Sequence, residues 1–282
     1  MKKNIIYLLI TTSLIFCQYA QPYPPLDLVS IPTAGTLPRG HYSLENIFTK
    51  DGGILPKFSI GITDNFTLGI SYGLHNFIGT GSIIKNKEYP EVQLKYRIFD
   101  ETETIPGMVI GLDTQGRGRY HETTTRVDTL VDGYGNFLGI NETEIDINRY
   151  DQKAVGLYFV ISRNWASLGN FGIHAGISKN LTEVDDKDND INLFFGFDKE
   201  LNRSFSLFAE YNFALNDDGQ NGTTTEFEEL IDTDGKGYLN AGLRWSVTDN
   251  LMLEVNVNDL AKNNKVEKSQ NRELKVIFFE QF

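Results

Sequence analysis

Cysteine is almost missing from this chain: Cys17 is the single one in 282 residues. That excludes a disulfide scaffold and any multi-cysteine zinc or iron–sulfur centre. Histidine is scarce as well, and His41, His75, His121 and His174 share no spacing that would close a metal site. Positive charge is the minority sign, with 26 Lys and Arg against 38 Asp and Glu, for a net charge of −12. A nucleic-acid binder needs a concentrated basic patch to neutralise phosphates, and none is visible. Phosphate-cradling loops are lacking too, since Gly79-Thr80-Gly81 and Gly116-Arg117-Gly118 are not framed by a strand and a helix. Beyond residue 40 there is no helical periodicity of useful length. The apolar fraction, 40%, nevertheless excludes a disordered chain.

What is present begins with a leader. Met1-Lys2-Lys3 is a basic start, and the apolar run from Ile5 to Phe16 is too short to span a bilayer as a helix. Residues 1–20 therefore read as a secretory signal peptide, with Ala20 before the cut. Cys17 leaves with it; an acylated lipoprotein cysteine is the alternative, against which Phe16 is bulkier than that motif wants. Residues 21–38, rich in proline, form a periplasmic lead, and residues 39–282 form the fold.

From residue 40 onward apolar and polar residues alternate, which is the strand signature. Twelve such segments stand out, from Tyr42-Leu44-Phe48 through Phe66-Leu68-Ile70-Tyr72-Leu74 and Phe205-Leu207-Ala209-Tyr211-Phe213 to Leu274-Val276-Phe278. Their connections sort by length. Links near Thr63–Asn65, Asp100–Ile105, Asn164–Leu168, Leu201–Arg203 and Thr248–Asn250 are short, whereas 75–90, 114–152, 179–190, 214–237 and 258–271 are long. Tight turns at one end and long loops at the other predict an all-β fold: a single antiparallel transmembrane β-barrel of about 12 strands, with short periplasmic turns and long outer loops. A soluble sandwich has no reason to gather its long loops at one end. An even strand count closes the sheet without an edge, as a bilayer requires.

The two faces of these segments agree with that. Opposite the apolar face lie Lys57, Ser59, Thr67, Gly69, Gln93, Lys95, Arg97, Asp113, His174, Asp198, Glu210, Arg244, Glu254, Asn256 and Lys275. With the apolar face toward lipid, Lys95, Arg97, Asp113, His174, Asp198, Glu210, Arg244 and Glu254 become candidate lumen-lining residues. Their charges either cross-pair and occlude a barrel of intermediate width, the favoured reading, or form separate positive and negative walls of a channel. Phe66, Trp165, Phe171, Phe205 and Phe282 fall near the turn end, as an interfacial aromatic girdle would.

The segment Ile31-Pro32-Thr33-Ala34-Gly35-Thr36-Leu37-Pro38-Arg39-Gly40 resembles the entry to YjbH-like outer-membrane proteins associated with exopolysaccharide. Ile70-Ser71-Tyr72-Gly73 with Ile78-Gly79-Thr80-Gly81, Gly111-Leu112-Asp113-Thr114-Gln115-Gly116 and Tyr238-Leu239-Asn240-Ala241-Gly242-Leu243-Arg244-Trp245 look like other pieces of such chains. The resemblance implies an outer-membrane location and a link to surface polysaccharide as partner. The terminal strand, with Phe278 and the final Phe282, also resembles the signal that outer-membrane barrels present to the barrel assembly machinery.

Other motifs weigh less. Asp232 and Asp234 open a stretch resembling an EF-hand loop, but position five is Lys236 and position twelve is Leu243, so it reads as a hairpin tip and only a weak metal candidate. A similar tip, Val131-Asp132-Gly133-Tyr134-Gly135, suggests that loops 114–152 and 214–237 both extend as β-hairpins. Asp185-Asp186-Lys187-Asp188-Asn189-Asp190 reads as solvated loop. For a lipid hydrolase the only offers are His75 near Ser82 and His174 near Ser178. No cofactor is expected. The function expected is non-enzymatic: a pore or an accessory barrel for surface polysaccharide. The alternative is a structural or adhesive barrel acting through acidic outer loops, and a lipid-modifying enzyme comes third. Loops 114–152, 179–190 and 214–237 carry most of the negative charge, which would place it beside outer-membrane lipid and lipopolysaccharide.

Overall fold

The computed structural model describes residues 25–166, 169–186, 188–218, 233–264 and 271–282. The signal peptide expected at 1–20 and the tip of loop 214–237, expected as a hairpin, therefore lie outside the described residues. In chain order the first strands are β1 (His41–Thr49), β2 (Gly53–Thr63), β3 (Phe66–Ser71), β4 (Leu74–His75), β5 (Ile84–Lys85) and β6 (Glu91–Phe99). Then come β7 (Gly107–Asp113), β8 (Arg117–Val131), β9 (Phe137–Gln152), β10 (Gly156–Ala166) and β11 (Asn170–Lys179). The last are β12 (Asn192–Glu200), β13 (Phe205–Asn212), β14 (Tyr238–Ser246), β15 (Leu251–Asn258) and β16 (Asn271–Gln281).

Twelve of these close on themselves. Each of β1, β2, β3, β6, β7 and β10 to β16 pairs antiparallel with the next, and β1 joins both β2 and β16. Leu44 stands opposite Phe58 on one side and Phe278 on the other, so the first and last strands complete the ring. Every segment of alternation seen in the sequence is one of these twelve. Asp64-Asn65 joins β2 to β3, residues 201–204 join β12 to β13, and the turns after β6, β10 and β14 share that end. Alternation decides the facing, because side chains along a strand point to opposite sides. Leu44, Ile70, Ile110, Leu157, Phe195, Leu243, Val255 and Leu274 are exposed outward. Ser43, Ser59, Thr67, Gln93, Ser162, Ser206, Asn240 and Asn256 are buried inward. Trp165 stacks on Phe171 at 6.2 Å and Phe205 on Trp245 at 5.9 Å, both beside the short turns.

Between β7 and β10, β8 and β9 pair only with each other. Loop 114–152 thus does extend as a hairpin, roughly 50 Å long at ~3.3 Å per residue, and Tyr134 at its tip is 94% exposed.

The N-terminal lead departs from expectation. Residues 26–37 do not lie ahead of the barrel; they run inside it, with Leu28, Val29, Ile31, Thr33 and Leu37 buried. They form a small hairpin: Leu28 N–H donates to Ile31 O, Thr33 N–H to Leu26 O, and Asp27 faces Pro32 as a β-bridge. Leu26 and Leu37 pack with Met252, Ile277 and Phe279 near the turn end, while the tip lies deeper in the lumen. The physical reason is a lumen wall that is not uniformly polar. Val109, Tyr158, Val160, Phe194 and Phe208 point inward and surround Leu28, Val29, Ile31 and Ala34. Facing water, that patch would be costly; covered by the hairpin, it is a small core.

Candidate functional site

The hairpin is held by polar anchors from opposite walls. On β13, Glu210 is 2% exposed and its carboxylate receives the tip. Val29 N–H donates to Oε2 at 2.8 Å, Ser30 N–H to Oε1 at 2.8 Å and Ile31 N–H to Oε2 at 3.1 Å. The Ser30 hydroxyl donates to Oε1, and Asn240 Nδ2 does so at 2.8 Å. Three consecutive amides converging on one carboxylate make an anion-holding concavity, filled here by a side chain of the wall. Across the lumen, Asp27 sits between Lys57 Nζ at 2.9 Å and Lys95 Nζ at 3.2 Å. Lys95 also donates to Leu26 O, and Arg117 donates to Val29 O while pairing with Glu273 at 2.7 Å. Further along, Ala34 N–H donates to Ser162 Oγ and Leu37 N–H to Thr67 Oγ1. Gly196 is needed where the tip passes: a Cβ there would lie 2.5 Å from Leu28 Cδ1. Gly61 plays the same part at the exit, beside the carbonyls of Leu37 and Pro38.

The remaining candidate lumen residues fall into place around this hairpin. Arg244 pairs with Glu254 at 2.5 Å, and Lys275 lies 2.9 Å from Glu45 and 3.9 Å from Glu254, a row of charges across β14, β15, β16 and β1. His174 Nε2 meets Asp198 at 2.8 Å and its Nδ1 meets Ser162 Oγ at 2.7 Å. Asp113 is half-buried at the outer end of β7 and accepts from Gln93 Nε2 and the Gln115 N–H. Arg97 stands apart from the others. It lies at the turn end, pairing with Asp100 at 2.9 Å and donating to Asp64 O. Phe282 is exposed with its ring 4.9 Å from Tyr42, and Phe278 is 6.5 Å from the same ring. Asp234 pairs with Lys236 at 2.7 Å, while Asp232 lies outside the described residues. Among the described residues no cluster of His, Cys, Asp and Glu could hold a metal ion.

Ser162, His174 and Asp198 form a buried Ser–His–Asp chain, in place of the Ser178 partner expected for His174. Its arrangement is that of a latch. Ser162 Oγ accepts the Ala34 N–H and meets His174 on its Nδ1 side, while the Nε2 side faces the Asp198 carboxylate. In the hydrolase triad the serine faces Nε2 and the carboxylate faces Nδ1, the reverse of this order.

At the outer end, acids read as solvated loop turn inward instead. Arg149 Nη1 meets Asp186 at 2.9 Å and its Nη2 meets Asp217 at 2.5 Å, while Lys153 meets Asp186 at 2.6 Å. Glu183 accepts the N–H groups of Tyr150 and Ala154, both at 2.7 Å. Burial pushes the carboxyls of Glu183, Asp188 and Asp217 up, beyond what their hydrogen bonds and the nearby cations pull down. Of the run read as solvated, Asp186 and Asp188 are therefore buried and, with Glu183 and Asp217, form a folded clasp at the outer end.

A closed antiparallel sheet, apolar outside and polar within, is inverted relative to a soluble barrel. The fold is that of an outer-membrane β-barrel. No family model and no curated protein matches the chain. Among solved structures it is similar to the KdgM porin, at 8% identity and a TM-score of 0.45, over 84% of this chain and 98% of that one. It is likewise similar to the NanC porin, at 10% identity and a TM-score of 0.38, over 85% and 99%. A third is the outer membrane phospholipase A from Escherichia coli, at 11% identity and a TM-score of 0.32, over 86% and 90%.

The hairpin itself escaped sequence reasoning. Pro32 at its turn and the flanking Pro25 and Pro38 mask it as a lead, and Asp27 carries no motif. The signal that would have found it lies on the strands: Val109, Val160, Phe194 and Phe208 break the polarity of an otherwise hydrophilic inner face.

Proposed function

We propose that this chain resides in the bacterial outer membrane as a non-enzymatic pore whose resting state is closed by its own residues 26–37. The outward apolar belt supports the location. One observation carries the closure: the lumen holds the hairpin tip, bound through three backbone N–H groups to Glu210. A barrel of about twelve strands is too wide for side chains alone to fill, and a retractable segment closes it without collapsing the wall. Ion pairs between neighbouring strands supply the occlusion expected of the lumen charges only in part; the hairpin supplies the rest.

The test is a reversible lock. Ser30 Oγ and Asn240 Nδ2 are 3.3 Å apart, so Ser30→Cys with Asn240→Cys places two thiols at the tip and the wall. In planar bilayers the unmodified chain should show brief openings from a closed baseline. The oxidised double variant should show none, and reduction should restore them. A large, steady conductance that oxidation leaves untouched would sink the proposal.

A role in surface polysaccharide, the finer reading of the same pore, rests on the short motifs around residues 31–40, 70–73, 111–116 and 238–245. Capsule or matrix loss on gene deletion, restored by the wild-type chain, would support it. The adhesive reading has one observation in its favour: the β8–β9 hairpin projects with Tyr134, Phe137 and Leu138 exposed at its tip. Surface binding that vanishes when residues 120–148 are shortened, with conductance unchanged, would favour adhesion.

A further inference from the structure

Lys57 on β2 and Lys95 on β6 are turned toward a single carboxylate. Each oxygen of Asp27 serves one of them, Oδ2 for Lys57 at 2.9 Å and Oδ1 for Lys95 at 3.2 Å. Both ammonium groups are largely buried, and every hydrogen bond and ion pair that the structure gives them ends on the hairpin, at Asp27 or at the Leu26 carbonyl. Their cationic neighbours are provided for by the wall itself: Lys275 has Glu45, Arg244 has Glu254 and Arg117 has Glu273. The remaining acid on that side, Asp113, is engaged by Gln93 and Gln115. When the hairpin withdraws, Asp27 goes with it, and the acids the wall keeps beside the two ammonium groups are Glu45, opposite Lys57 in the β1–β2 register but paired with Lys275, and Asp113, engaged by Gln93 and Gln115. In the flooded lumen the two ammonium groups are hydrated, and an anion whose two oxygens meet both of them at once takes the vacated place through charge-assisted hydrogen bonds. A cavity of about 50 Å³, lined by Asp27, Glu45, Lys57, Gln93, Asp113 and Lys275 among others, already adjoins the position.

We infer that Lys57 and Lys95 form a carboxylate-binding subsite, occupied by Asp27 in the closed barrel and by the carboxylate of an acidic solute when the hairpin is out. This deepens the gated-pore reading and rests on it. Asp27 then acts as a built-in mimic of the solute: the solute competes with the hairpin for the two lysines, so its binding favours the open state by mass action.

The test begins with full-length Asp27→Ala in detergent. The midpoint of its heat-dependent gel shift is compared in acetate and in chloride at equal ionic strength and pH. The midpoint should fall below wild type in chloride, and acetate should restore at least half of the loss while leaving wild type unmoved. Equal midpoints in the two salts would overturn the subsite. The second arm uses the Glu210→Gln chain in planar bilayers under a potassium acetate gradient. Its reversal potential should lie on the anion side, and adding Lys95→Gln should shift it toward the cation side. An open channel whose selectivity ignores Lys95 would equally overturn the inference. A Glu210→Gln chain that never conducts would instead count against gating, and the salt comparison would still decide the subsite. Should Asp27→Ala fail to assemble, the channel arm decides it.

Discussion

Replacing Glu210 by Gln is the sharpest perturbation of the closed state, because one carboxylate collects the Val29, Ser30 and Ile31 amides, the Ser30 hydroxyl and Asn240. Glutamine keeps one acceptor oxygen and turns the other into a donor, which then faces donors. The oxygen that is kept holds the Val29 and Ile31 amides and, at 3.0 Å, the Ser30 amide; the Ser30 hydroxyl and Asn240 lose an ionised acceptor. Hydrogen bonds to charged groups contribute about 1.5–3 kcal/mol each. Two such losses, discounted because the hydroxyl and the amide can turn, leave a cost of about 3 kcal/mol to the closed form. At about 1.4 kcal/mol per factor of ten, the closed-to-open ratio should fall roughly a hundredfold. Single-channel recording reads that ratio directly as open probability. A heat-dependent gel shift run alongside shows that the barrel still closes, as it should, since Glu210 faces the lumen and takes no part in the strand ladder. Asn240→Ala removes a single donor to the same carboxylate and should raise open probability far less, by about fivefold for ~1 kcal/mol. An open probability in Glu210→Gln within about threefold of wild type would refute the argument, because the tip would then be held by something other than this contact.

Two further outcomes follow from the same geometry. Gly196→Val places carbon where Leu28 Cδ1 sits, 2.5 Å from the position of a Cβ, with Ile31 Cδ1 at 3.0 Å; open probability should rise at least tenfold while the barrel keeps its gel shift, and an unchanged closed state would show that the hairpin does not need that space. The outer clasp should respond to pH. Glu183, Asp188 and Asp217 have carboxyls raised by burial above their unfolded values near 4. The folded clasp therefore holds protons more firmly than the unfolded loops, so its relative stability is full below pH ~4 and is lost as pH rises through the raised values. Hydrogen exchange across residues 180–186 should slow at pH 5 relative to pH 8 once intrinsic rates are corrected, and faster exchange at pH 5 would contradict the sign.

The barrel was legible because its physics repeats. Period-two alternation over twelve segments decides facing, and the contrast of short and long links decides which end is which, so each strand reports on the others. Glu210 was legible as a lumen residue by parity alone. Its partner was not, because Val29 to Ile31 bind through backbone N–H groups, which every residue has and no side-chain pattern marks. Ser162 went unnoticed as the neighbour of His174 for a related reason: the two meet across the β10–β11 ladder, in a register that side-chain spacing within either strand does not reveal. The inward acids of the outer clasp failed differently. A run such as Asp185-Asp186 reads as solvated unless the distant Arg149 and Lys153 are known to reach it, and that depends on how β9 returns to the barrel.

A permanent plug and a gate differ in how deeply they are held, and the hairpin sits near the boundary. Fully burying Leu28, Val29 and Ile31 contributes roughly 2 kcal/mol each, about 6 in all, whereas ordering residues 26–33 costs about 8 at ~1 kcal/mol per residue. Apolar packing alone leaves the hairpin close to balance. The polar anchors then decide its position, and each of them exchanges a protein partner for water when the lumen floods, so their net contribution is small compared with their number. Ion pairs such as Asp27 with Lys57 and Lys95 add definition more than strength, since desolvation offsets much of their attraction. A segment built this way is specific in where it docks and modest in how firmly it stays. The wall beneath it is the opposite case: the Arg244–Glu254 and Lys275–Glu45 ion pairs link neighbouring strands with both partners on the wall. The division between a self-sufficient wall and a weakly balanced insert is the arrangement a reversible closure requires.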